Sequence, residues 1–262
     1  LLHHALYRVL YPCFDRTFIH DSYSCRVGKG THKAINHFRT VAYKVSKNHT
    51  RTCWVLKCDI RKFFASIDHD TLFSLLERHI PDQDILWLLR EVVGSFCSCC
   101  QKNSLHRSYT TVQAKCMHVG LPLGNLTSQL LVNIYMNEFD QYVKHRLKAK
   151  YYIRYADDFV FLSHDQKELE QTLRYIEVFL QEHLKLQLHP DKVSIKTFAS
   201  GVDFLGWVHF PDHRVLRTST KCRMLRRVRG LKEENLSVQS YFGLLSHGNA
   251  ENLRQEVKRQ LA

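Results

Sequence analysis

Asp157 and Asp158 stand side by side between two short apolar segments in residues 151–163, YYIRYADDFVFLS. Strand formers alternate through Tyr151, Ile153 and Tyr155, and an apolar block covers 159–162. This pattern predicts a β-hairpin with both carboxylates at or beside its turn. Such a pair suits a hard divalent cation, since magnesium prefers oxygen ligands and is usually held by one or two carboxylates together with substrate phosphates. An acidic turn between ordinary strands is the plain alternative, because turns favour aspartate. A third carboxylate is needed to build a reactive centre.

Residues 53–68, CWVLKCDIRKFFASID, supply a candidate. Trp54, Val55 and Leu56 lead into Asp59 at the end of an expected buried strand. If that strand neighbours the hairpin, Asp59 and Asp157 would bridge two magnesium ions, with manganese able to substitute. Asp158 would be a second-tier ligand, and the backbone carbonyl of Ile60 could complete one coordination shell. Two ions about 3.5–4 Å apart activate a primer 3′ hydroxyl and neutralise the charge on departing pyrophosphate. Catalysis by this route rests on positioning and electrostatics, so few further groups are required.

The elements that must hold these residues read as mixed helix and sheet. Leu72, Leu75, Leu76 and Ile80 share a helical face after Asp70 as a candidate cap, with Pro81 as the stop. Ile85, Leu88, Leu89, Val92, Val93 and Phe96 recur at helical spacing. Residues 126–142 read as a helix, as do 165–183, with Leu169, Leu173, Ile176 and Leu180 on one stripe. Short strands are expected within 186–195 and 201–210, around turns at 189–191 and 211–213. The basic tail has helical patterns at Met224, Leu225 and Val228, then at Tyr241, Leu244 and Leu245.

Charge points to a polyanionic partner. The chain carries 38 Lys and Arg against 25 Asp and Glu, a formal charge of +13. Residues 1–58 hold ten basic and two acidic residues, and 214–232 hold eight basic and none acidic. Basic flanks around an acidic strip suit a nucleic-acid duplex, whose phosphates supply most sequence-independent affinity. A solvated basic surface is the alternative for either flank alone. No apolar run reaches the roughly 18 residues of a membrane span and no signal peptide opens the chain, so the expectation is a cytoplasmic protein that makes no membrane contact. It begins Leu1-Leu2-His3-His4 without an initiator methionine, as a trimmed chain does. The nine cysteines are expected as reduced thiols. Zinc held by Cys97, Cys100, Cys116 and His118, with Cys99 nearby, would need a second half-site closer than usual.

Taken in order, the blocks at 22–35 (SYSCRVGKGTHKAI), around Asp59, at 120–140 (GLPLGNLTSQLLVNIYMNEFD), at 155–158 (YADD), at 186–195 (LQLHPDKVSI) and at 201–207 (GVDFLGW) resemble the reverse transcriptases. The resemblance runs from residue 23 to residue 207. It implies a right-hand polymerase of α/β (α+β) class, with fingers and palm over 1–212 and a basic helical thumb over 213–262. By the same resemblance Phe64 is the gate that excludes a ribose 2′ hydroxyl, although Phe63 or Phe64 could be plain core. Arg26 and Lys29 match the fingers block that meets the triphosphate or template backbone, with solvation the alternative for Lys29. Lys192 matches a basic residue that protonates pyrophosphate, or is a solvated turn lysine.

The 120–129 block points to a subfamily. Many reverse transcriptases have glutamine where this chain has Leu123 and proline where it has Gln129, whereas LPLGNLTSQ looks like the branch found in diversity-generating retroelements. Gly124 would let backbone approach nucleotide and template. That branch implies cDNA with errors at template adenines, mutagenic retrohoming, a structured element RNA, a small basic accessory protein, and a bacterial, archaeal or phage gene. RNA template, primer, deoxynucleotides and cDNA are the expected partners. Retron-like, group II intron-like and defence-associated enzymes are the nearest alternatives. An RNA-binding scaffold with a vestigial site is the alternative from another class.

Overall fold

The computed structural model describes residues 2–96, 118–232 and 234–261. Its elements, in chain order, are α1 (Leu2–Asp15), α2 (Thr31–Val45), β1 (Trp54–Asp59), α3 (Phe63–Ser66), α4 (His69–Glu77), α5 (Gln83–Gly94), α6 (Leu126–Gln141), β2 (Tyr152–Tyr155), β3 (Asp158–Ser163), α7 (Gln166–Leu184), β4 (Ser194–Thr197), β5 (Val202–Phe204), β6 (Trp207–His209), β7 (Arg214–Leu216), α8 (Thr218–Val228), α9 (Leu236–Leu245) and α10 (Glu251–Leu261). One sheet has the order β2-β3-β1-β4 and a second the order β5-β6-β7. The mixed class expected from the sequence is the one observed. Most zinc candidates fall outside the described residues; only His118 lies within them.

The chain forms two compact units. The first comprises Leu1–Gly30, Lys57–Phe161 and Glu170–Ser194. Its centre is α6, which buries residues on every side, including Leu130, Ile134, Tyr135 and Phe139. A helix apolar all round belongs inside a core, and α6 packs against α1 and α4. Its buried polar groups are paired: Asn133 Nδ2 donates to the Ser24 carbonyl at 2.9 Å and the Tyr135 hydroxyl to the Leu184 carbonyl at 2.6 Å. The cap of α4 is Asp68, whose Oδ1 accepts from the Thr71 amide at 2.9 Å and from its hydroxyl at 2.6 Å. Asp70, expected as the cap, instead sits in the first turn. Of two aspartates two positions apart, the one with extended backbone can turn its carboxylate onto the free amides. The α4 helix ends at Glu77, ahead of Ile80 and Pro81, and α5 ends at Gly94, ahead of Phe96.

The second unit comprises Thr31–Leu56, Leu162–Leu169 and Ile195–Ala262. The α2 stripe of Ala34, Ile35, Phe38, Val41, Ala42 and Val45 is buried at helical spacing. Phe38 meets the rings of Phe204 at 5.2 Å, Phe198 at 5.8 Å and His209 at 5.1 Å. His209 is fully buried, and its Nε2 lies 3.3 Å from the Phe204 carbonyl. Burial, together with Arg214 and Arg39, pushes its imidazole down to about 4 from 6.5. The unfolded chain therefore takes up this proton first as pH falls. The contribution is complete above about 6.5 and is lost on the way down to about 4, a difference of at most about 3 kcal/mol. Urea unfolding is expected to show His209→Gln losing less stability than the parent between pH 7 and pH 4.5. Equal losses would remove His209 as the source. Among the described residues no helix is long and apolar enough to cross a membrane.

Candidate nucleotidyl-transfer site

The strands β2 and β3 pair antiparallel from Tyr152↔Phe161 to Tyr155↔Asp158, leaving Ala156 and Asp157 as a two-residue turn. Ala156 takes a φ of 55°, the left-handed region in which a side chain costs about 1 kcal/mol or more. A positive φ at the first central position is the sign expected of a tight hairpin whose twist matches its strands. The strands are buried on both faces and not in alternation, with Arg154 completely enclosed.

Arg154 holds this turn from beneath. Its Nε and Nη2 donate to the two oxygens of Asp140 at 2.8 and 2.6 Å, with both side chains fully buried. Nη1 donates to the Ala156 carbonyl at 3.1 Å, and Nη2 to Ser22 Oγ at 3.1 Å. The Tyr152 hydroxyl donates to Asp140 Oδ1 at 2.7 Å. Burial works against the guanidinium charge, but Asp140 more than offsets it and keeps Arg154 a cation. Arg154 N donates to the Asp21 carbonyl at 3.0 Å and Tyr23 N to the Arg154 carbonyl at 2.9 Å, so the 21–23 segment runs along β2.

The strand β1 lies next to β3, as the hairpin required. Asp59 ends β1, and its electrostatic effect reaches Asp157, whose carboxyl is pushed above the usual range by burial and then by Asp59. Lys192 Nζ sits on both Asp59 oxygens, at 3.0 and 3.1 Å, with the lysine half exposed and the aspartate mostly covered. Lys57, two residues before Asp59 on β1, places Nζ 3.7 Å from Asp158 Oδ2. The chain beyond β1 pairs with residues 187–189: Arg61 N donates to the Gln187 carbonyl at 2.9 Å and His189 N to the Asp59 carbonyl at 2.8 Å. In this antiparallel bridge Ile60 and Leu188 are the non-hydrogen-bonded pair, so the bridge leaves the Ile60 carbonyl unspent.

Phe63 is buried and Phe64 half-buried, which separates the core ring from the accessible one. The Phe64 carbonyl accepts from Leu121 N at 2.7 Å, the Ile67 carbonyl from Gly120 N at 2.7 Å, and the Gly120 carbonyl lies 2.7 Å from His69 Nε2. The start of the 120–129 block is thereby docked onto the segment carrying Phe64. Leu123 and Gly124 stand exposed in the turn before α6, Gly124 with a φ of 89° that favours glycine, and Gln129 is half-buried in the first turns of α6.

Arg26 is held by the segment that precedes it. Its Nε donates to Asp15 Oδ1 at 2.7 Å, Nη1 to the carbonyls of Ile19 and Ser22 at 2.6 and 3.1 Å, and Nη2 to the Asp15 carbonyl at 3.2 Å. A guanidinium so covered and committed braces the 15–26 segment. Lys29 is partly exposed, with Nζ 5.0 Å from the Tyr23 ring centre and donating to the His20 carbonyl at 2.8 Å. Lys57 and Arg154 are the functional candidates that reading the sequence missed. The signal for Lys57 was its place two residues from Asp59, on the same strand face. That for Arg154 was a charge inside an apolar strand.

The donor set fits a hard divalent cation, since it consists of carboxylate oxygens and a backbone carbonyl. Among the described residues no group of three or more His, Cys, Asp or Glu is gathered as a metal site; the ammonium groups of Lys57 and Lys192 instead face the aspartates. Solved structures with a similar fold include telomerases. Telomerase from Candida albicans, in complex with a TWJ fragment of telomeric RNA, superposes with a TM-score of 0.58 at 12% identity over 99% of this chain and 46% of that one. The fold is that of a right-hand polymerase. The family model "Reverse transcriptase (RNA-dependent DNA polymerase)" matches residues 1–209, and the chain belongs to that family.

Among curated proteins, YkfC of Escherichia coli K12 is 26% identical across 89% of this chain and 65% of its own length. The group II intron-encoded protein LtrA of Lactococcus lactis is 23% identical across 84% of this chain and 43% of its own. The chain thus spans less than two thirds of the length of either relative.

Proposed function

We propose that this chain copies an RNA template into DNA by extending a primer with deoxynucleotides. The observation that carries this reading is the adjacency of β1, which ends at Asp59, and β3, which opens at Asp158 directly after Asp157 in the turn, in a chain of this family. Asp59, Asp157, Asp158 and the Ile60 carbonyl are the oxygen donors for magnesium, or for manganese in its place. When bound, the ions supply Lewis acidity to the primer hydroxyl and charge neutralisation to the triphosphate. The accessible ring of Phe64 fills the space a 2′ hydroxyl would need. Lys192 gives a proton to the departing pyrophosphate, and Lys29 faces backbone phosphate. Residues 1–212 serve as fingers and palm. Residues 213–262 serve as a thumb whose α8 exposes Arg223, Arg226 and Arg227 toward duplex phosphates.

The finer reading places the chain in the diversity-generating branch, on the strength of Leu123 and Gln129. A leucine at 123 cannot make the hydrogen bond a glutamine offers, and so loosens the check on base geometry. Element RNA and a small basic accessory protein are the partners of that reading. The similarity to LtrA favours a second reading, a group II intron-like enzyme. Primer extension on defined RNA templates, with and without element RNA and accessory protein, separates the two once products are sequenced. Errors concentrated at template adenines are expected. Faithful cDNA would move the chain to the intron-like or retron-like reading. RNA binding without cDNA in every condition would favour the scaffold.

A further inference from the structure

Both outer aspartates of the site face ammonium groups supplied by the chain. Lys192 reaches the two oxygens of Asp59 from the turn after Leu188, and Lys57 reaches Asp158 from β1. We infer that Lys57 and Lys192 are built-in counter-ions that hold Asp158 and Asp59 until divalent ions displace them, so that metal entry is an exchange of cations. The inference rests on the polymerase reading and deepens it.

Asp59, Asp157 and Asp158 must lie close enough to share ions, yet like charges so placed repel, and burial raises the cost. An ammonium is a compact charge on a flexible stem that can lie on a carboxylate and leave it at small cost. The two lysines differ in the way this requires. Lys192 is half exposed and its pair is worth at most about 1 kcal/mol, so it leaves readily. Lys57 is mostly covered, as is its partner Asp158, and holds a carboxylate beside the turn of the hairpin. Displacement also frees Lys192 beside the position where the triphosphate must lie. Arrival of the ion and availability of the proton donor then become one event.

The test is calorimetric titration of manganese into the full chain bound to RNA template, DNA primer and a non-hydrolysable deoxynucleotide. Lys192→Met and Lys57→Met keep most of the stem and remove the charge, and Lys148→Met sets the baseline for losing one exposed charge. The half-saturating manganese concentration is expected to fall about threefold to fivefold in Lys192→Met, the factor corresponding to a pair of that strength. It is expected to fall also in Lys57→Met and to stay at the parent value in Lys148→Met and Lys192→Arg. Equal manganese affinity in the parent and both methionine variants, with cDNA synthesis intact in the parent, would overturn the counter-ion assignment alone. Failure of every chain to take up manganese would remove the metal site, and the polymerase reading with it.

Discussion

Asp157→Asn is expected to lower primer extension by about a thousandfold or more while leaving the fold as stable as before or more so. The change keeps the shape and removes the charge that would hold a cation against the reacting phosphate. Losing about 4 kcal/mol of transition-state stabilisation corresponds to that factor. The effect on stability has the opposite sign. Burial first, and Asp59 second, push the Asp157 carboxyl above its ordinary range, so the folded chain holds this proton more tightly than the unfolded one. As pH rises from the ordinary aspartate value through the raised one, ionisation therefore works against folding. Asparagine escapes that cost. The melting temperature of Asp157→Asn at pH 7.5 should equal or exceed the parent's, with the gap closing as the pH is lowered toward the ordinary aspartate range. Extension within tenfold of the parent would remove Asp157 from the chemistry. A large fall in melting temperature would make the residue structural instead.

This division between reactivity and stability bears on which residues could be read from the chain alone. Asp59, Asp157 and Asp158 stood out because strand formers framed them, and that local pattern carried through to the neighbouring strands β1 and β3. The stripe of α7, with Leu169, Ile176 and Leu180 buried, was legible for the same reason, since helical periodicity is a property of a short window. Pairings across the chain were not. Nothing near Arg26 in the sequence announces Asp15, eleven residues earlier, as its partner. Lys57 looks like a solvated charge until Asp158 is found beside it. Residues 31–56 cluster with 195–262 because Phe38 meets Phe198, Phe204 and His209, contacts between residues at least 160 positions apart in the chain. Local spacing carries no information about such partners, and the turn at Ala156 shows the limit in miniature. Nothing in its residue type announces a left-handed conformation; the flanking strands and Arg154 impose it.

Arg154 carries the second large effect. Arg154→Met is expected to cost about 3–5 kcal/mol of unfolding free energy, because Asp140 would be left charged and fully buried without its partner. Pairing it with Asp140→Leu should return most of that loss, since a buried ion pair replaced as a whole by apolar side chains is often neutral. Activity should not return with it. The guanidinium also donates to the Ala156 carbonyl, which is the only link in this network to the residue preceding Asp157. No pair of apolar side chains replaces that bond. Urea unfolding and primer extension, measured on the parent, the single variant and the double variant, therefore give two curves that should separate. If extension recovers in step with stability, Arg154 serves the core alone. If stability returns while extension stays depressed, the buried pair exists to set the angle at which the hairpin offers Asp157. The cost of enclosing a charge beneath the hairpin is then met by the positioning of the carboxylate above it.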